Sequence, residues 1–115
     1  MHKGVIVTQV VPFYHSSATG VLQYREQLAK YFPTEQPGFV SLEGYIAARV
    51  LCAGLSKAGP DLTTEKLVEA LENIRGRDFG IGTTITFGPS EHQGSHKVWA
   101  TVLDANCAFQ SLELD

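Results

Sequence analysis

The 115 residues carry nine Lys and Arg against twelve Asp and Glu, a formal net charge of −3, with 43% hydrophobic and 18% charged residues. That length fits one domain with a modest core, the composition argues against a disordered chain, and the acidic balance gives no support to nucleic acid as a partner, which a basic face would meet. No run approaches the ~20 apolar residues of a membrane span, residues 1–20 lack the layout of a secretory signal, and neither Cys52 nor Cys107 has a CxxC neighbour.

In chain order, Gly4 to Val11 is rich in β-branched residues and nearly continuous in apolar character, which predicts a strand covered on both faces, as in a parallel sheet. Pro12 ends it, and Phe13 to Ser17 form a connector in which Ser16 or Ser17 can cap the next helix. That helix is expected from Ala18 to Tyr31, with Val21, Tyr24, Leu28 and Tyr31 on its packed side. Pro33, Pro37 and Gly38 break the chain before the stretch FVSLEGYIAARVLCAGLSKAG, Phe39 to Gly59. From Leu42 onward this stretch is apolar on most of its circumference, so it reads as a central helix buried on most sides, with Cys52 a small buried filler. Ser41 is placed to cap it, and Gly59 with Pro60 stops it. A third helix is punctuated by Thr63 as N-cap, Glu65 in the first turn, Leu67, Leu71 and Ile74 as its stripe, and Gly76 as the stop. Phe79 to Phe87 alternates as a strand, with Phe79, Ile81, Ile85 and Phe87 on one face. Val98 to Leu103 and Phe109 to Leu112 are two further short strands around a turn at Asp104 to Asn106.

Little in the chain points to catalysis or metal chemistry. His92 and His96, with Glu91 beside one of them, offer only three ligands in a loop punctuated by glycine, proline and serine, so solvated polar residues are the simpler reading. No GxSxG elbow is present, and the glycines of FGIGTTITFG follow a helix instead of leading from a strand into one, which is wrong for a phosphate loop. Neither an enzyme, a cofactor nor a metal site is expected. Glu43 is the more informative charge, because a carboxylate in the first turn of a buried helix is favoured by the helix dipole. Trp99 reads as a packing residue.

GVIVTQVVP, FVSLEGYIAA, KLVEAL and FGPSEHQGSHKVWATV, in that order and spacing, resemble the C-terminal segment of a type I periplasmic solute-binding protein of the branched-chain amino-acid receptor kind. The resemblance implies an α/β fold: three helices packed on a mostly parallel sheet with short C-terminal strands, part of the first of two lobes. Residues 1–14 would be the last second-lobe strand and the hinge crossing, and residues 15–115 the C-terminal part of the first lobe. It implies the solute-binding component of an ABC transporter, closing around an amino acid or similar small organic solute and presenting it to a membrane permease, on the periplasmic or extracellular face. By position it assigns ligand contact to Leu42, with Ser41 and Glu43 as neighbours, and to Phe13 in the crossing segment. Two alternatives stand beside it: the ligand-sensing domain of a receptor, and a free-standing α/β interaction module. The open strand edge at Gly4 to Val11 and uncovered apolar surface predict self-association as a homodimer.

Overall fold

The computed structural model describes residues 3–112. Its elements are β1 (Ile6–Gln9), α1 (Thr19–Tyr31), α2 (Phe39–Ala58), α3 (Thr64–Glu72), β2 (Arg77–Asp78), β3 (Thr84–Ile85), β4 (Trp99–Leu103) and β5 (Phe109–Leu112). The locally coded boundaries form as their chemistry dictates. The Thr63 hydroxyl accepts the Lys66 N–H at 3.2 Å, and Glu65 sits in the first turn of α3. Gly59 ends α2 at φ 86°, a backbone region that costs glycine little.

Other starts differ from expectation. α1 begins after Ala18 with no side-chain cap, and Ser16 Oγ accepts the Ala18 N–H at 3.1 Å just ahead of it. α2 begins at Phe39, with extended Gly38 as its N-cap. Ser41 therefore lies within the first turn and does not cap it, because its hydroxyl bonds to Tyr24 of α1.

The sheet corrects the expected strand direction. Its order is β1-β4-β5, and both pairings are antiparallel, Ile6 facing Val102 and Leu103 facing Phe109. The unbroken apolar run at Gly4 to Val11 suggested two covered faces. Only Ile6 to Gln9 is strand, and Val5, Ile6 and Val10 are exposed, so hydrophobicity here does not report burial within this chain. A second correction concerns 79–87. Phe79, Ile81 and Ile85 do point inward, but Gly80 and Gly82 adopt positive φ and break the strand, leaving Arg77 paired with Ile85 and Asp78 with Thr84.

The core gathers Val21 and Tyr24 of α1, Leu42, Ile46 and Ala53 of α2, and Ile74, Phe79, Ile81 and Ile85 from the segment after α3. The start of α1 meets that segment backbone to backbone. Gly20 donates its N–H to the Gly80 carbonyl at 2.8 Å, and a methyl at Gly20 would run into the Phe79 and Gly80 carbonyl oxygens. α2 is buried only at Leu42, Ile46, Ala53 and Gly54, and Cys52 is exposed, correcting the expectation of burial nearly all round. Trp99 pairs with Gln9 and is half-buried under Lys97, whose Nζ lies 5.5 Å from its ring centroid.

Candidate functional site

The first turns of α2 are held by a phenol from α1. Tyr24 is buried, and its hydroxyl accepts the Gly38 N–H at 3.0 Å, lies 3.3 Å from the Gly38 carbonyl and shares a short hydrogen bond with Ser41 Oγ. Gly38 N–H is one of the donors a helix start leaves unpaired, so one side-chain oxygen satisfies it and fixes the helix entry. Farther along, the Arg49 guanidinium reaches back to Gln23 Oε1 at 2.7 Å, tying α2 to α1 again. Arg25 donates to the Tyr14 and Ser16 carbonyls at 2.9 and 2.8 Å and so secures the connector after β1.

The candidate residues converge on this region but occupy different settings. Leu42 is fully buried in the core beneath the helix start. Ser41 and Glu43 on either side of it are exposed. Phe13 is half-buried in an aromatic cluster, its ring 4.7 Å from Tyr14 and 6.0 Å from Phe39, and Phe39 meets Phe109 of β5 edge-on at 5.4 Å. The cluster therefore joins the connector, the start of α2 and the end of the sheet. Tyr24, Arg25, Phe39 and Phe109 were given no part in a site from the sequence. Only Tyr24 left a signal, as an aromatic with a polar tip on a buried stripe, which needs a partner.

Beside Ser41 lies a groove of about 730 Å³ between the second half of α1, the following loop and α2, walled by Tyr24, Tyr31, Phe32 and Tyr45, with Glu35 as its one charged side chain. Apolar ring walls with a few hydroxyls suit a small organic ligand: the rings supply contact area and the hydroxyls orientation. The histidines do not converge. His92 Nε2 bonds Glu72 Oε1 at 2.9 Å, whereas His96 Nε2 lies 3.5 Å from Glu91 Oε2, and no group of three metal-binding side chains occurs among the described residues.

Three helices and short antiparallel strands make an α/β fold. The chain belongs to the periplasmic binding protein family, whose model matches residues 2–108. It is similar to the solved structure of a possible leucine/isoleucine/valine-binding protein from Rhodopirellula baltica SH 1, at 37% identity and TM-score 0.91, over 97% of this chain and 30% of that one. A substrate-binding periplasmic protein from Ralstonia solanacearum follows at 26% identity and TM-score 0.79, over 93% and 31%. A branched chain amino acid ABC transporter structure from Thermus thermophilus with bound valine shares the fold at 17% identity and TM-score 0.76, over 97% and 33%. Among curated proteins none matches. The chain spans about a third of the length of these solved relatives.

Proposed function

We propose that this chain is part of a periplasmic solute-binding protein serving an ABC transporter, and that the solute is an amino acid or a similar small organic molecule. The observation that carries this reading is the match over 97% of the chain, at 37% identity, to a structure described as a possible leucine/isoleucine/valine-binding protein. The start of α2 forms one wall of the binding cleft. Ser41, Glu43 and Phe13 face the solute, and Leu42 supports them from the core. The connector at Pro12–Tyr14 is the hinge between two bodies, one built on α1 to β3 and one on the β1-β4-β5 sheet, because β4 and β5 pair with β1. Closing about that hinge expels water and concentrates the polar contacts on one solute, after which a membrane permease takes the closed form.

Calorimetric titration with branched-chain, aromatic and polar amino acids tests the reading, using a protein in which this chain is joined to the rest of a family sequence. One class should bind saturably, and Glu43→Ala with Ser41→Ala should weaken it by about tenfold, roughly 1.4 kcal/mol. Absence of binding for every amino acid removes the solute class. Undiminished affinity in both variants moves the site away from the start of α2.

A further inference from the structure

Little besides the chain itself joins the helical body to the β1-β4-β5 sheet, and no helix lies broadly against that sheet among the described residues. What does join them is a cluster of rings. Phe39, the first residue of α2, stands at its centre, with Tyr14 edge-on at 4.9 Å, Phe13 at 6.0 Å and Phe109 of β5 edge-on at 5.4 Å. Phe13 and Tyr14 belong to the connector, so among the described residues Phe109 is the one ring of the cluster that comes from the sheet.

Both sides of the Phe39–Phe109 contact are held by hydrogen bonds that do not depend on it. On the helical side two neighbouring residues of α1 do the holding. The Tyr24 hydroxyl accepts the Gly38 N–H, immediately before Phe39, and the Arg25 guanidinium donates to the Tyr14 and Ser16 carbonyls. Ser16 in turn donates its N–H to the Phe13 carbonyl at 2.8 Å, which closes the connector into a turn and leaves bending to the residues ahead of Tyr14. On the sheet side Asp104 Oδ1 accepts the N–H of Ala108, the residue before Phe109, at 3.0 Å. Two stiff mounts therefore meet through a single edge-to-face pair, an interaction strong enough to bias an equilibrium and too weak to lock one.

We propose that Phe39 and Phe109 form a latch that sets the resting angle between the helical body and the sheet, with Tyr24 and Arg25 as positioning residues that hold its seat. The latch biases a population of angles, which is the population any solute would select from. It goes beyond the solute-binding reading and takes from it only the hinge at Pro12–Tyr14. The chain carries its own ruler: Cys52 on α2 and Cys107 between β4 and β5 are both exposed, one in each body. Nitroxide labels on these two thiols report the distance between the bodies by pulsed electron spin resonance, with labelled chain diluted in unlabelled chain so that the signal stays within one molecule. One main distance is expected. Phe109→Ala should raise the fraction of molecules outside it about two- to tenfold, the span that one aromatic pair supports. Phe109→Tyr keeps the ring and should keep the profile. Phe39→Leu, on the other side of the contact, should act like Phe109→Ala, which separates loss of the latch from damage to the hairpin. Arg25→Gln should broaden the profile without changing the circular dichroism, whereas Phe32→Ala, which removes an exposed ring outside the cluster, should leave it unaltered. A profile equally broad before and after Phe109→Ala, or one that Phe32→Ala broadens as much, overturns the latch. Broadening in Arg25→Gln alone leaves the connector as the restraint and overturns it too. A joined protein that binds no amino acid refutes the solute reading and leaves the latch standing.

Discussion

A single phenolic oxygen ties α1 to the first turn of α2, and its removal is the sharpest local test of how the candidate site is held. In Tyr24→Phe the ring still fills its place, but the Gly38 N–H loses its acceptor and Ser41 keeps only its longer bond to the Gly38 carbonyl, at 3.4 Å. The net value of such a bond is about 1 kcal/mol, rising toward ~2 where the group left behind is poorly solvated. Urea denaturation should show an unfolding free energy lowered by that amount, seen as a lower midpoint with an unchanged slope. Amide exchange at Ser41 to Tyr45 should accelerate more than at Ala53 or Gly54, farther along the same helix. The α1 stripe that contains Tyr24 was legible from spacing alone. Its partners were not, because Gly38 and Ser41 lie 14 and 17 residues away and pair only once the two helices cross.

Among the elements, legibility followed the range of the forces involved. α3 read correctly at its start, because Thr63 and Glu65 act within one turn, but it ends at Glu72 with Asn73 as C-cap, ahead of the Ile74 and Gly76 that were expected to belong to its stripe and its stop. α2 read correctly as a helix but not in its burial, since apolar residues say that a face wants cover and not whether this chain supplies it. The direction of the strands was misread for a related reason: β1 meets β4 only after the chain has passed through all three helices.

The β4–β5 hairpin is local again, and it carries a pH dependence. Asp104 Oδ1 accepts the Ala108 and Asn106 N–H groups at 3.0 and 2.8 Å, and Oδ2 accepts Gln110 Nε2 at 3.0 Å. The bond from Ala108, then those from Gln110 and Asn106, hold its carboxyl below the ordinary value of 3.8. A depressed folded value means that this support is complete above 3.8 and is lost as pH falls through the lowered one. Chemical shifts at Asn106 and Ala108 should therefore stay constant from neutral pH to about 4 and change below it. In Asp104→Asn that acid transition should vanish. Its persistence would assign it to another carboxylate.

For the whole molecule, the extents of 53 × 34 × 21 Å and a radius of gyration of 16.2 Å stand above the ~13 Å of a compact chain of this length. The excess fits a helical body and a sheet meeting through the connector and the Phe39–Phe109 contact, with separate apolar faces open to water. Small-angle scattering at low concentration should give about 16 Å for the monomer. A value near 13 Å would mean that the sheet folds onto the helices in solution and would remove the proposed hinge at Pro12–Tyr14. Family membership was legible from the order of several modest motifs. The uncovered faces were foreseen only in general terms, since their location depends on which surfaces these residues cover for one another.

The pairing of Ile6 with Val102 has a kinetic consequence. Bringing together residues 96 apart costs roughly 4 kcal/mol of loop entropy, about (3/2)RT ln n, whereas the short turn before β5 costs less than half of that. Contacts of such long separation are slow to form. The helices and the β4–β5 hairpin can thus assemble first, and β1 adds to the edge of β4 last. During refolding, and during synthesis until β4 has emerged, β1 and the exposed Val5, Ile6 and Val10 around it wait without a neighbour. An unpaired apolar strand is a template for pairing with another chain, so that interval is when aggregation competes with folding.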